Sequence, residues 1–381
     1  MNMSTEKMIY VDNAATTKLD IDAFEAMKPY LLSEYGNVSQ PYSFSRVTKK
    51  ALKEARQTIA DCINAYPDEI YFTSGGTESD NWAIKGVAFS DVNKNAVITS
   101  AIEHHAVLRS CEDIERLGYP VAYLTPDSDG VIYPETLKKI ITQNTKLVSI
   151  MLSNNEIGTI EPIKELANIA HENDALFHTD AVQALGHIKV DVKDLGVDLL
   201  SASAHKFNGP KGIGFLYIKN GVEISSFVSG GSQEKGKRAG TENVASIVGM
   251  AIALKKNCDN LKHNQNHIHS LEKILLERLK AARIEFVRNG SDNTVPGNVS
   301  LSFPGFDGET LFHRLDLMGI QISTGSACDN INTQISHVLQ AIQADDSIAK
   351  GTIRISLGKD NTEEDIYAIV DALTKITKDC R

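Results

Sequence analysis

The chain reads as an α/β protein with a mostly parallel sheet, followed by a smaller α+β unit. Three observations predict this. Strand-like apolar runs alternate with amphipathic helix-like runs through roughly the first two thirds of the chain, the order that builds a parallel sheet with helices on its faces. A long helical pattern then extends from about Asn243 to Ala282, weakly interrupted by polar residues near Asn257. Beyond it, short strands and helices follow in a different order. With 381 residues, 42% of them hydrophobic, the chain can bury a large core and suggests two domains rather than one. The expected division is a large domain over 16–257, and a small one from 1–15 together with 258–381.

The elements follow in order. LKEARQTIADCI places Leu52, Ala55, Ile59 and Cys62 on one apolar helical face. FTSGGTESDNWAIKG reads as a strand end, two glycines and then a helix. NAVITS, VAYLT, KLVSIML, ALFHTDA, VDLLSASAH and GIGFLYI read as strands, with helices such as PIKELANIAHEND between them. AVQALG, directly after Asp180, also has a helical pattern. In the last third IEFVRNG, NVSLSFPG, IQISTG and TIRISLG are strand-like. ETLFHRLDLMG, the run around Ser336 to Gln343 and the C-terminal stretch are helix-like.

Composition excludes several classes. The 39 basic and 49 acidic residues leave a net charge of −10, which disfavours nucleic acid as a bulk electrostatic partner. No apolar run reaches membrane-spanning length, and MNMSTEKMIY has no apolar signal core, so a cytoplasmic location is expected. Cys62, Cys111, Cys258, Cys328 and Cys380 show neither paired spacing nor a CxxC. They are expected to be free thiols rather than a disulfide framework or a metal site.

The stretch SASAHKFNGPKGIG carries the first chemical signal. Lys206 follows an apolar strand pattern and precedes a glycine-rich turn, a setting that can hold an amine in a cleft to form a Schiff base with a carbonyl compound. A loop lysine paired with a carboxylate would look the same. Upstream, FHTDAVQA ends a strand at Asp180, with Gln183 three residues on. A carboxylate there suits a pyridinium nitrogen, keeping it protonated so that the ring can act as an electron sink. The alternative is a helix N-cap.

Taken together, these segments resemble the class V pyridoxal-phosphate enzymes, and among them the cysteine desulfurases of the NifS/IscS type. The resemblance runs from YVDNAATT (10–17) through TSGGTESDN, SAIEHHAV, SNNEIGTI, HTDAVQALG, SASAHKFNGPKG, RAGTEN and TGSAC to TIRISLGKDNTEEDI (352–366). It implies the fold-type I architecture with a seven-stranded, mostly parallel sheet, and pyridoxal 5'-phosphate as cofactor. It further implies that Lys206 carries the cofactor and Asp180 faces its ring nitrogen. Gly76 and Thr77 would open a phosphate cradle at a helix N-terminus, with Ser203 and His205 adding phosphate contacts. Thr241 would reach the phosphate of a neighbouring subunit, which makes the unit a homodimer.

By the same resemblance His104 stacks on the ring and exchanges protons, whereas His105 falls at the wrong place in the motif and is expected on the surface. Asn155 and Gln183 are amides suited to the cofactor's ring oxygen or the substrate, and turn chemistry is their alternative. Arg354, in an alternating strand, needs an anionic partner. The resemblance makes that partner the substrate's carboxylate, and a structural ion pair is the alternative. Cys328 lies in TGSACDNINTQIS, where small residues precede it and polar ones follow, the pattern of an exposed loop. The resemblance makes its thiol the acceptor of sulfur as a persulfide.

The implied reaction is L-cysteine to L-alanine, with a protein sulfur acceptor downstream and no metal. Other class V reactions (selenocysteine lyase, β-elimination, transamination) and a non-turnover sulfur-relay protein are the alternatives. Two segments depart from the family pattern. GNVSQPY has Val38 and Tyr42 where a proline and a histidine are usual, and DNINTQIS follows Cys328 in place of small hydroxyl residues and Glu-Pro-Ser.

Overall fold

The computed structural model describes residues 8–90, 94–324 and 335–379. Twelve strands are defined among them: β1 (Ile9–Tyr10), β2 (Ile70–Thr73), β3 (Ala96–Ser100), β4 (Val121–Leu124), β5 (Thr145–Ser149), β6 (Leu176–Asp180), β7 (Leu199–Ser203), β8 (Gly214–Ile218), β9 (Val287–Asn289), β10 (Asn298–Ser302), β11 (Ile320–Gln321) and β12 (Thr352–Ser356). The helices are α1 (Ile21–Leu32), α2 (Arg46–Cys62), α3 (Gly76–Ala88), α4 (His105–Arg116), α5 (Pro134–Ile140), α6 (Ile163–Glu172), α7 (Val192–Leu195), α8 (Val244–Asp259), α9 (Leu261–Ala281), α10 (Gly308–Asp316), α11 (His337–Ala341), α12 (Asp346–Ala349) and α13 (Glu363–Asp379).

Seven strands form one sheet in the order β2-β8-β7-β6-β5-β3-β4. Only β8 runs against its neighbours β2 and β7. Strands β5, β7 and β8 are buried along their whole length, as expected for strands covered by helices on both faces. One hydrophobic cluster joins Ile59, Val148, Phe177, Phe215 and Ile247 on one side of the sheet, and another joins Trp82, Leu147, Leu199 and Leu216 on the other. Each such fully buried side chain contributes roughly 1.5–3 kcal/mol. The parallel strands all end on one edge, where ligands of α/β sheets bind. That edge receives Thr73, Ser100, Ser149, Asp180 and Ser203.

A second cluster contains Val11, Leu271, Val299, Leu301, Ile353 and Leu373. It packs around the antiparallel sheet β12-β10-β9 and the parallel pair β1-β11. Through that pair Ile9 lies beside Ile320, so the chain's first described strand belongs with its last third.

Two local expectations are corrected. The helical pattern 243–282 is two helices, broken at Asn260. Asn257 is not the break: its amide donates to the carbonyls of Phe207 and Ala253, both at 2.9 Å, inside α8. AVQALG is a series of turns rather than a helix. Asp180 therefore caps no helix. Its Oδ1 accepts from the Val182 amide at 2.8 Å, a short turn that aims the carboxyl outward from the strand end.

Candidate active site

A cavity of about 240 Å³ opens at the carboxyl edge of the sheet. Its wall includes Gly76 and Thr77, the first residues of α3, with Ser203 and His205. Asp180, Asp80, His104, Asn155, Gln183 and Lys206 line it as well. The structure thus brings to one place nearly every residue that the sequence singled out.

The α3 end is shaped for an anion. Gly75 has φ +150°, and a Cβ on Gly76 would meet Val182 Cγ2 at 2.7 Å, so the backbone approaches the cavity where a side chain would block it. The first amides of a thirteen-residue helix point there. Glu78, close by, is neutralised by Arg238, whose Nε donates to Oε1 at 2.8 Å. Burial opposes ionisation of Glu78, but Arg238 and the Ser74 hydroxyl and amide outweigh it and hold the carboxyl below its usual range. His205, pushed down to about 4 by burial and by the Lys206 charge, is neutral, with Nδ1 3.1 Å from Thr16 Oγ1.

Two buried acids line the same cavity. Asp180 is buried, and burial pushes it up to about 6, against the pull of the Val182 amide and Lys206. Asp80, on the second turn of α3, is also buried. Its Oδ1 has no hydrogen-bond partner and lies 3.8 Å from His178 Nε2. Burial first, and then Asp180, hold its carboxyl well above the usual range. His178 is pinned between Ser149 and Ser201, at 2.8 and 2.9 Å, and burial pushes it down to about 3, so it is neutral. Glu103 accepts from Ser100 at 2.6 Å and from the Met151 amide at 3.0 Å, and burial pushes it up to about 8.

Lys206 closes a 3₁₀ turn after β7. Its amine donates to the carbonyls of Ala14 and Ala15, the latter at 3.0 Å, and Gln183 donates to Ala14 as well, at 2.9 Å. The N-terminal segment therefore roofs the amine. His104 caps α4, its Nδ1 accepting from the Ala106 amide at 3.1 Å. Burial, and then Lys206, push it down to about 4. A neutral ring with Nδ1 accepting carries its hydrogen on Nε2 and can donate it there.

Arg354, on β12, reaches the same region. Its guanidinium donates to Asp12 Oδ1 at 2.7 Å and to the Asn155 carbonyl at 2.9 Å. The ion-pair alternative is thus present in the structure, while Nε remains buried without a hydrogen-bond partner. Thr241 is exposed, on the loop before α8, and does not line the cavity. Cys328 lies outside the described residues. Both flanks of its segment are beside the site. Ser323 and Arg354 exchange backbone hydrogen bonds at 2.7 and 3.1 Å, and His337 Nε2 is 3.0 Å from the Glu103 carbonyl oxygen. His105 is not a surface residue: it is half-buried, its ring centroid 4.7 Å from that of His337.

Asp80, His178 and Glu103 were missed from the sequence. A signal for His178 was available, since it lies two residues before Asp180 on one strand and so shares its face. Asp80 lies four residues after Gly76 on α3, one turn in from the anion end. A larger and more open groove of about 630 Å³ runs past Asp20, Lys256 and Lys359. Its charges already pair with one another, which makes it a poorer reactive site. Among the described residues no cluster of three or more His, Cys, Asp or Glu could hold a metal, and no helix is long and apolar enough to cross a membrane.

Comparison with known proteins places the chain in a family. The family model described as Aminotransferase class-V matches residues 9–369. A cysteine desulfurase IscS of Clostridium botulinum is 48% identical over 379 residues, 98% of this chain and 96% of the relative. A solved NifS-like protein superposes with a TM-score of 0.92 at 37% identity, covering 97% of this chain and 99% of the other. SspA, solved in complex with cysteine, gives a TM-score of 0.82 at 37% identity over 93% of this chain and 100% of the other.

Proposed function

We propose that this chain, which belongs to the aminotransferase class-V family, is a cysteine desulfurase that converts L-cysteine to L-alanine with the help of pyridoxal 5'-phosphate and leaves the sulfur as a persulfide on Cys328. One observation carries the reading: an amine, a buried carboxyl group and an anion cradle line a single cavity. Those residues fit the cofactor. The α3 N-terminus, Gly76, Thr77, Ser203 and His205 suit a phosphate, and the buried carboxyl of Asp180 in the same cavity suits a cationic ring nitrogen. Bound there, pyridoxal phosphate supplies an electron sink for the carbanion formed next to the amino acid's carboxylate.

The chain's own residues do the rest. Asp180 keeps the ring nitrogen's proton in place. The Lys206 amine holds the cofactor and moves protons at the substrate carbons, and the carbonyls of Ala14 and Ala15 orient it. Neutral His104 offers its Nε2 hydrogen over the cavity and can exchange it with the departing sulfur. Arg354 and Asn155 set the substrate carboxylate, with the buried Nε of Arg354 as a donor still to be satisfied. The Cys328 thiolate attacks the substrate sulfur. The Cβ–S bond breaks, an S–S bond forms, and Cβ takes up a proton, so cysteine and one thiol become alanine and one persulfide. An acceptor thiol on a partner protein then removes the terminal sulfur.

A homodimer is part of this proposal. Ile21, Leu31, Leu32, Tyr35 and Phe44, on α1 and the segment leading into α2, are exposed, and such a patch suits a second copy. Exposed Thr241 would then serve the neighbour's phosphate end, and a fully active monomer would exclude this. A cytoplasmic setting suits a thiol-based enzyme, and Cys62, Cys111 and Cys258 are free.

The test is mass spectrometry after incubation with L-cysteine. Cys328 is expected to gain one sulfur atom while alanine accumulates. Cys328→Ser should retain the cofactor but lose the persulfide and nearly all alanine release, because a hydroxyl is a poor nucleophile toward sulfur. Full activity in Cys328→Ser would point to elimination or transamination instead.

A further inference from the structure

The desulfurase reading uses Asp180 and leaves Asp80 without a role. Asp80 nonetheless keeps an unpartnered oxygen in the site. It is 1% exposed, lines the same cavity as Asp180, and one of its oxygens has no hydrogen-bond partner. A carboxylate left so in a core is costly unless it is neutral or a cation comes to it. A role in stability alone would be better served by an asparagine or a leucine.

The surroundings show what could neutralise it. From β6, His178 stands 3.8 Å from Oδ1. That ring already bonds both serine hydroxyls through its two nitrogens, and burial keeps it uncharged. From β7 comes Ser201, whose hydroxyl hydrogen-bonds the Asp80 carboxyl and eases its ionisation but brings no charge. Glu103, after β3, is an acid held protonated at neutral pH by burial, and His104, before α4, is neutral. Lys206 is the cationic side chain among these described neighbours, and it is turned to the carbonyls of Ala14 and Ala15. Two carboxyl groups thus face one cavity while the imidazoles around them stay neutral, the arrangement in which a pair retains a proton.

We propose that Asp80 is a positioning residue for the cofactor's ring nitrogen: with Asp180 it forms a carboxylate pair that holds one proton, and this pair, rather than Asp180 alone, keeps that proton on the nitrogen once the ring is bound. Asp180 meets the nitrogen directly. Asp80 acts through it, as a second negative charge that strengthens the grip on the proton. The network His178–Ser149–Ser201 keeps Asp80 aimed at the cavity without neutralising it. This inference rests on the pyridoxal reading above.

The experiment compares two ligands on the cofactor-free full-length chain: pyridoxal phosphate, and its analogue with carbon in place of the ring nitrogen. Binding is followed by fluorescence quenching. The unaltered chain is expected to prefer pyridoxal phosphate, and Asp80→Asn to reduce that preference by about tenfold, the equivalent of one unit of proton affinity. Pyridoxal phosphate should weaken in the variant, whereas the carbon analogue should bind as before or better, because one uncompensated charge has gone. A purely structural Asp80 would weaken both ligands alike, and that result overturns the proposal.

A second measurement needs no variant. On the unaltered chain the preference should keep rising as pH increases above about 6, as the pair gives up its second proton, whereas a single carboxylate ionised near pH 6 would leave it flat above that point. A flat profile overturns the pair and leaves the cofactor reading intact. Failure to bind pyridoxal phosphate at all would overturn both.

Discussion

Asp180, buried, and Asp20, half-buried, are both carboxylates near the end of a secondary-structure element, and their surroundings treat them in opposite ways. Asp20 caps α1 and accepts from the Asp22 amide at 2.9 Å, from Lys256 at 3.0 Å and from Lys359 at 3.3 Å. Burial works against its ionisation, but Lys256, the amide and Lys359 outweigh it and hold the carboxyl below its usual range. Asp180 has one amide, a distant lysine and a second acid, and burial wins. A carboxylate that ties segments together receives cations from them: Lys256 ends α8, and Lys359 follows β12. A carboxylate kept for a ligand is left short of positive charge until the ligand arrives. The same contrast makes the larger groove at Asp20 the poorer candidate and the smaller cavity at Asp180 the better one.

The strongest way to break this comparison is to remove the amine that faces Asp180. Lys206→Ala is expected to lower kcat/KM by roughly three orders of magnitude or more. It should also abolish the borohydride-fixed cofactor on residue 206, read by peptide mass. Fixation on another lysine would move the site elsewhere.

Asp180→Asn comes next, with a loss of roughly 10²–10⁴-fold. It also carries a signature in the cofactor-free chain. Because the folded form holds this proton up to about pH 6, against an ordinary value near 4, its contribution to stability is fully present at low pH. That contribution is lost as pH rises through 6. Asp180 should therefore account for a loss on the order of 2 kcal/mol between about pH 4 and 7, read from denaturant midpoints as the difference between the unaltered chain and the Asn variant, while Glu103, held up to about 8, gives both the same further fall. Asp20 has the opposite sign: its contribution is present above the ordinary carboxylate value and disappears only in strong acid.

The smallest effect sharpens the comparison from the other side. Lys359→Ala removes one of two cations from Asp20 and should cost at most about 1 kcal/mol, since the pair is partly solvated and Lys256 remains. Turnover should be unchanged. A large loss of activity would show that the Asp20 cluster is more than a tie between segments.

Much of the site was legible because its parts are local. A strand end at Asp180, a lysine after VDLLSASA and a Gly-Gly-Thr before a helix each declare themselves within a few residues, and α3, β6 and β7 begin and end where those patterns change. The misreadings arose where local pattern and tertiary packing compete. AVQALG has helical spacing, yet the chain turns there because Asp180 captures the Val182 amide and a Cβ at Gly186, which has φ +82°, would meet Phe207 Cβ at 2.8 Å. His105 reads as surface until His337, more than two hundred residues away, comes to rest against it.

The sequence by itself determined the alternation of strands and helices, the family resemblance and the candidates for the amine, the thiol and the acid, because those follow from periodicity and from side-chain chemistry at short range. Only the tertiary structure decided what state those groups are in. Protonation depends on the dielectric and on charges gathered from distant segments. Asp80 from α3, Asp180 and His178 from β6, Glu103 from the β3 end and the Ala14 carbonyl become one electrostatic unit only when the sheet has formed and the N-terminal segment has closed over it.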